Sequence, residues 1–377
     1  MARFFYSLTQ RVDILLILLV APIMIAGLLT MSDFNWNDRY FYSQGTWIIL
    51  SFIVFIGASF FDFRFLKRPE AVIAVYIFGL ALLTLIFIFG TTIKGSQSWF
   101  SFGGFSFQPS DLMKLILIIV LAKYFSRRHI EIANIRHILV SAIYALIPFF
   151  LIALQPDFGS AMVILSIWFG LVLVSGISKT HLFGVIFLGV ATFLLMWNFI
   201  FQPYQKARIM NFINPLADIR GTGYNAYQSV SAVGSGGIIG KGLGYGTQSR
   251  LNYLPEYRTD FIFAAFAEEW GFVGSIILLL LYTGILARLV YFAHVANSNF
   301  ESLFTYGVVI WISTHIFINI GMNIGLVPVT GIPLTLMSYG GSHLITEMLA
   351  LGMCAAMHRY SRPTHRSQMN REFLGLE

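Results

Sequence analysis

Ten apolar runs, each close to the length that crosses a bilayer, leave this 377-residue chain little choice of architecture. An α-helix needs about 20 apolar residues to traverse roughly 30 Å of hydrocarbon. The runs fall at roughly 13–31, 45–61, 71–90, 109–125, 137–154, 158–175, 180–200, 261–288, 304–327 and 336–357. Backbone polar groups inside hydrocarbon must be satisfied within the chain, so such runs fold as helices. Only 11% of the residues are charged, against about a quarter in a soluble domain. The sequence predicts an all-α polytopic membrane protein of about ten transmembrane helices, with residues 1–377 forming a single membrane domain. The fifth and sixth runs are separated only by Gln155-Pro-Asp157, which predicts a tight helical hairpin.

Lysine and arginine set the expected orientation. With the N-terminus inside, the inner segments hold fifteen of the 24 basic residues, and the short outer loops hold only Arg39 and Lys94. Lys114 lies within a span, and six more sit on a polar stretch at 201–260: Lys206, Arg208, Arg220, Lys241, Arg250 and Arg258. Long loops are translocated largely regardless of charge. Both termini are therefore expected in the cytoplasm, and 201–260 is expected as a long extracytoplasmic loop between helices 7 and 8. The net charge of +7 gathers at span ends and does not point to nucleic acid. The segment 12–30 is too long for the apolar core of a signal peptide, and no small-residue cleavage site follows it. The single cysteine, Cys354, excludes an internal disulfide.

Charged residues inside or at the edge of such runs are costly and mark function by default. Asp111 and Lys114 stand three apart in Gln108-Pro-Ser-Asp-Leu-Met-Lys114, on one helix face near the outer end of the fourth run. They either neutralise each other or serve an external anion, the natural partner of a lysine there. Asp157 is either a helix N-cap or a carboxylate offered at the outer surface. Asp260 stands where the long loop becomes the eighth run, and eight residues later Glu268 would lie on nearly the same helix face. Glu268 and Glu269 have two uses, substrate chemistry or satisfaction of backbone and hydroxyl groups within the bundle.

Other motifs carry less. The glycine-rich stretch Gly234–Gly246 fails the nucleotide-loop pattern, which needs a glycine five before its Gly-Lys pair and a hydroxyl residue after it; positions 235 and 242 are Ser and Gly. Its amides are still suited to an anion nest, and close packing of the loop is the alternative. His315, Asn319 and Asn323 recur every four residues and read as hydrogen bonding between helices. No His/Cys cluster has zinc-ligand spacing. Ser110 and Ser338 have no partnered histidine in sequence to make a nucleophile.

Taken together, these segments resemble the SEDS family (shape, elongation, division and sporulation proteins). The similar pieces are Trp99 with Gln108–Lys114, Pro156-Asp-Phe-Gly159, Gly234-Ser-Gly-Gly237, Leu254-Pro-Glu256 with Thr259-Asp-Phe-Ile-Phe-Ala264, and Thr330-Gly-Ile-Pro-Leu334 with Ser338-Tyr-Gly-Gly-Ser342. Gly240-Lys-Gly242, Gly246-Thr-Gln-Ser249 and the short N-terminus resemble the rod-elongation members more than the division members. The resemblance implies a peptidoglycan glycosyltransferase of the bacterial cytoplasmic membrane that polymerises lipid II into β-1,4 glycan strands at the outer face. It further implies a divalent cation, Mg²⁺ or Mn²⁺, no organic cofactor, and a class B penicillin-binding protein as partner. The family's essential loop aspartate matches Asp260. Its fourth-span Glu and Lys pair matches Asp111 and Lys114, with the glutamate here shortened by one methylene.

The residues are consistent with that chemistry. The attacking sugar hydroxyl must lose a proton, which suits Asp260 as general base and gives inversion at the donor carbon. The departing diphosphate must be neutralised, for which Lys114, Arg208, Arg258 or a carboxylate-held metal are candidates. Asp111, Asp157 and Glu268 complete the expected substrate-binding set. A flippase for lipid-linked precursors and a non-catalytic scaffold for the penicillin-binding protein stand as alternatives. Intramembrane charges fit a flippase too, but the second half shows no evident repeat of the first.

Overall fold

The computed structural model describes residues 13–32, 39–93, 96–102, 105–126, 135–199, 201–214, 218, 221 and 223–361. Each of the ten expected runs is helical. They are α1 (Ile14–Met31), α2 (Arg39–Phe60), α3 (Pro69–Phe89), α4 (Pro109–Ser126), α5 (Ile135–Ala153), α6 (Phe158–Val174), α7 (Lys179–Phe199), α11 (Ile262–His294), α12 (Asn299–Asn323) and α13 (Gly341–Ser361). Three further helices lie in the polar stretch: α8 (Pro203–Ile213), α9 (Tyr224–Ser235) and α10 (Thr247–Arg250). Seven of the ten are long and apolar enough to cross a membrane by length and composition. The others are α6, one residue short of that length at 17, and the polar-bearing α4 and α13.

Position in the bundle follows from side-chain character. Helix α4 packs against α3, α6 and α12 and is buried on nearly every face, so Asp111 and Lys114 are carried into the interior. Helix α7 has no buried residue; a helix that is apolar all round and unburied by protein suits a lipid surround. Helices α5 and α6 form the expected hairpin, with Asp157 as N-cap of α6.

One departure from the all-α expectation lies between α3 and α4. An antiparallel meander, β1 (Thr91–Ile93), β2 (Ser96–Phe102) and β3 (Phe105–Phe107), pairs in the order β1-β2-β3. Short runs of β-branched and aromatic residues favour such pairing. Gln97 and Ser96 tie the meander to the ends of α3 and α5.

The glycine-rich stretch has a structural task. Gly271 interrupts α11 at φ 68° and ψ −164°, a backbone region open essentially only to glycine. The break exposes backbone groups that the loop after α9 then satisfies. Lys241 N donates to Glu268 O at 3.0 Å and Gly242 N to Glu269 O at 3.0 Å, while Phe272 N and Val273 N donate to Gly237 O and Ile238 O. A Cβ on Gly240 would overlap the Glu269 carbonyl, so the close approach requires glycine there.

One end of the bundle gathers charge. Arg288 at the end of α11 pairs with Asp13, the N-cap of α1. Lys67 pairs with Glu301 of α12 at 2.7 Å, and Lys123 of α4 donates to the Lys67 carbonyl. Asp157 and Asp260 lie at helix boundaries of the opposite end. Arg3, Arg11, Lys94, Arg127, Arg128, Arg220, Arg362, Arg366 and Arg371, counted in the expected orientation, lie outside the described residues.

Candidate functional site

Asp260 sits in a turn one residue before the N-cap of α11 and is half-buried. Two buried amides fix its backbone. Asn319 Nδ2 donates to the Asp260 carbonyl at 2.9 Å and Asn323 Nδ2 donates to it at 3.1 Å. Asn323 Oδ1 also accepts from Ala264 N in the first turn of α11 and from Ser229 of α9. The polar stripe on α12 thus bonds between elements as expected, and its main target is the candidate base. The Asp260 carboxylate faces Gly331, where an added Cβ would stand 3.5 Å from Oδ2. Helix α11 starts at Ile262, so the helical spacing that was to set Glu268 beneath Asp260 does not extend back to residue 260.

The segment Thr330–His343 connects Asp260 to the buried charges. Ser338 Oγ donates to Thr259 O at 2.7 Å and accepts from Leu334 N at 2.8 Å. Both partners are backbone. Ser342 and His343 at the far end reach Asp111, with His343 Nδ1 3.3 Å from Oδ1. Lys114 Nζ is 2.9 Å from the same oxygen, and Asp111 and Lys114 are only 2% and 1% exposed. The i,i+3 pair forms as the spacing predicts, in a larger cluster. His343 Nε2 lies 2.9 Å from Glu347 Oε1, and its ring stacks on that of His315 at 5.0 Å.

The other expected residues take varied places. Asp157 is half-buried and does the first of its two expected jobs. Oδ1 caps α6 through Ser160 N at 3.1 Å, and Oδ2 accepts from Gln108 Nε2 at 2.8 Å, one residue before Pro109 of α4. Arg258 is half-buried, its guanidinium over the Tyr40 and Tyr257 rings at 4.4 and 4.9 Å, two residues from Asp260. Arg208 is exposed on α8.

Glu268 is enclosed by its own loop. Lys241 Nζ is 2.8 Å from Oε1, which also accepts from Thr247 Oγ1 and Gln248 N, while Oε2 accepts from Ser249 N. Glu269 pairs with Arg250 at 2.7 Å and accepts from Gly244 N. The two glutamates serve backbone and hydroxyl groups, and the anion held by the glycine-rich stretch is the chain's own carboxylates.

Sequence reasoning passed over three contributors. The Thr330–His343 segment was read as motif alone, and its bridging role depends on folding. His343 and Glu347 had no role until Asp111 was brought beside them. His315, His343 and Glu347 present ligand atoms within 4.8 Å of one another, a group that the search for His/Cys zinc-ligand spacing did not find. The two histidines lie 28 positions apart, so no local spacing signalled them. Among the described residues this is the group of three that suits a metal ion.

Known proteins agree with this architecture. A family model described as cell cycle protein, FtsW/RodA/SpoVE, matches residues 7–363. The chain is 37% identical over 298 residues to the peptidoglycan glycosyltransferase MrdB of Escherichia coli K12, covering 79% of each chain. It superposes with a TM-score of 0.80 and 31% identity on a chain of a solved peptidoglycan synthase complex, described as coordinating polymerization and crosslinking; 93% of this chain and 98% of that one are covered. The crystal structure of the Thermus thermophilus rod shape determining protein RodA matches with a TM-score of 0.69 and 30% identity, over 93% and 97% of the two chains.

Proposed function

The chain belongs to the FtsW/RodA/SpoVE family of cell cycle proteins, and from that premise we propose that it is a peptidoglycan glycosyltransferase joining lipid II units into β-1,4 glycan strands during cell elongation. The observation that carries the reading is Asp260: a half-exposed carboxylate at a helix mouth, its carbonyl clamped by two buried asparagines. A general base must be held within hydrogen-bond reach of the proton it takes, and fixing the backbone on which it sits is how a loop residue achieves that.

In this reading Asp260 removes the proton from the acceptor 4-hydroxyl as that oxygen attacks the donor anomeric carbon, with inversion. The C–O bond to the diphosphate breaks and the diphosphate leaves with its electron pair. Arg258, stacked beside the base, and the exposed Arg208 meet the diphosphate charge. Lys114 is buried in the bundle and acts through its field, which a low-dielectric interior screens weakly. Asp111 orients Lys114. Asp157 links the mouth of α6 to Gln108 and so sets the start of α4. Glu268 supports the site indirectly by holding Lys241 and the loop. A divalent cation supplies further charge neutralisation when bound; His315, His343 and Glu347 are its candidate ligands, and two nitrogens suit Zn²⁺ or Mn²⁺ better than Mg²⁺.

The distribution of lysine and arginine supports termini in the cytoplasm and Asp260 at the outer face. A class B penicillin-binding protein supplies crosslinking, as the family resemblance implies; support comes from the structural relative described as a synthase complex coordinating polymerization and crosslinking. Purified chain incubated with lipid II, with and without that partner, tests the reading. Glycan strands are expected from the wild type and not from a folded Asp260→Asn variant. Lipid II translocation in vesicles without any polymer would favour transport instead.

A further inference from the structure

We propose that His315, His343 and Glu347 form a buried binding site for one first-row transition-metal ion, with Zn²⁺ the best-suited occupant. The inference does not rest on the polymerase reading. It starts from three polar atoms in the bundle interior: His315 Nε2, which has no hydrogen-bond partner, and His343 Nε2 and Glu347 Oε1, which face only each other at 2.9 Å. The three residues are 0%, 5% and 1% exposed. A buried nitrogen without a partner is uncommon and costly, and two acceptor atoms facing each other beside it, when the His343 ring is neutral, suit a shared cation.

The remaining atom of each side chain is already engaged. His315 Nδ1 donates to the Pro333 carbonyl at 3.1 Å. A carbonyl only accepts, so the proton of a neutral ring is on Nδ1 and the lone pair is on Nε2. His343 Nδ1 faces Asp111 Oδ1 at 3.3 Å, which fixes the same tautomer. Glu347 Oε2 accepts from Leu336 N at 2.9 Å and leaves Oε1 over. Metal-ligating histidines characteristically give their second N–H to a carboxylate or a backbone carbonyl, and both types occur here. The ligand atoms already lie within 4.8 Å of one another. Bonds of about 2.0–2.1 Å to a tetrahedral ion require them to draw in modestly.

Charge admits a cation here without deciding between a proton and a metal. With both rings neutral, Asp111 and Glu347 outweigh Lys114 by one negative charge in a buried cluster, and such an excess is expensive. A proton on His343 would cancel it, bridging Asp111 and Glu347, yet would leave His315 Nε2 with nothing. A divalent cation turns the excess into one positive charge but, unlike the proton, engages all three atoms. Bound there, it ties α12 and α13 together and, through His343, fixes Asp111 beside Lys114.

The test uses the full-length, tag-free chain purified without chelators. Elemental analysis is expected to find one transition-metal ion per chain that survives gel filtration. After exchange, Co²⁺ is expected to give visible d–d absorption typical of nitrogen and oxygen ligands. His315→Ala and Glu347→Gln are expected to lose both signals, whereas Arg208→Ala keeps them. A folded wild type that retains no metal and gives no Co²⁺ bands overturns the proposal without recourse to variants. Equal metal content in wild type and both variants also overturns it, because the ion would then lie elsewhere.

Discussion

Removing the two asparagines that hold Asp260 is expected to cost far more together than apart. The Asp260 carbonyl accepts from Asn319 at 2.9 Å and from Asn323 at 3.1 Å, so each amide covers for the other. At that carbonyl, Asn319→Ala or Asn323→Ala alone loses one bond of net worth about 0.5–1.5 kcal/mol, besides the other bonds of each side chain, whereas the double variant leaves an unsatisfied acceptor, a penalty of about 1–3 kcal/mol. The coupling energy is therefore about 1–2 kcal/mol. If the strain falls on the position of the base, the double variant loses roughly 5- to 30-fold more rate than the product of the singles, since 1.36 kcal/mol is tenfold. The assay is single-turnover strand formation from purified lipid II, with thermal melting to confirm the fold. The same substitutions in an Asp260→Asn background are expected to cost nothing further. Independent effects in the cycle, or the same losses without Asp260, would refute the claim that the stripe acts through the base.

Other outcomes follow from the same geometry. Lys114→Ala is expected to lower kcat/KM roughly ten- to hundredfold through loss of charge stabilisation, and unchanged kinetics in folded protein would remove Lys114 from the site. Arg250→Ala leaves the fully buried Glu269 carboxylate without its cation; breaking such a pair costs about 3–5 kcal/mol and should show as a lowered Tm, partly restored by Glu269→Gln. Gly271→Ala must adopt φ 68° and ψ −164°, a strain of about 1–3 kcal/mol, and also overlaps Gly240. Its Tm is expected to fall further than that of Gly189→Ala, where an added Cβ meets nothing.

The ten helices were legible because hydrocarbon accepts few alternatives: an apolar run of that length must satisfy its own backbone. Ends were less so. Helix α13 begins at Gly341 rather than near 336 because Tyr339 N bonds the Arg258 carbonyl and Leu336 adopts φ 63°, commitments made by distant chain. The strands between α3 and α4 are too short to show their period. Asp111 and Lys114 announced themselves because burying charge is costly, and their pairing followed from helical spacing. Their neighbours did not. His343 meets Asp111 across 232 positions, and Asn319 meets Asp260 across 59. Such distances carry no local pattern. The glycine-rich stretch showed a capacity to hold an anion, and only folding showed that the anion is Glu268 and Glu269.

The most direct measurement is glycan-strand formation from purified lipid II by the wild-type chain and by Asp260→Asn, each verified as folded and each assayed with and without a class B penicillin-binding protein. The isosteric amide keeps the backbone clamp and removes only the base. The expected result is polymer from the wild type and none from the variant under either condition. Polymer from both at equal rates would contradict Asp260 as the base, and polymer from neither would contradict the glycosyltransferase itself.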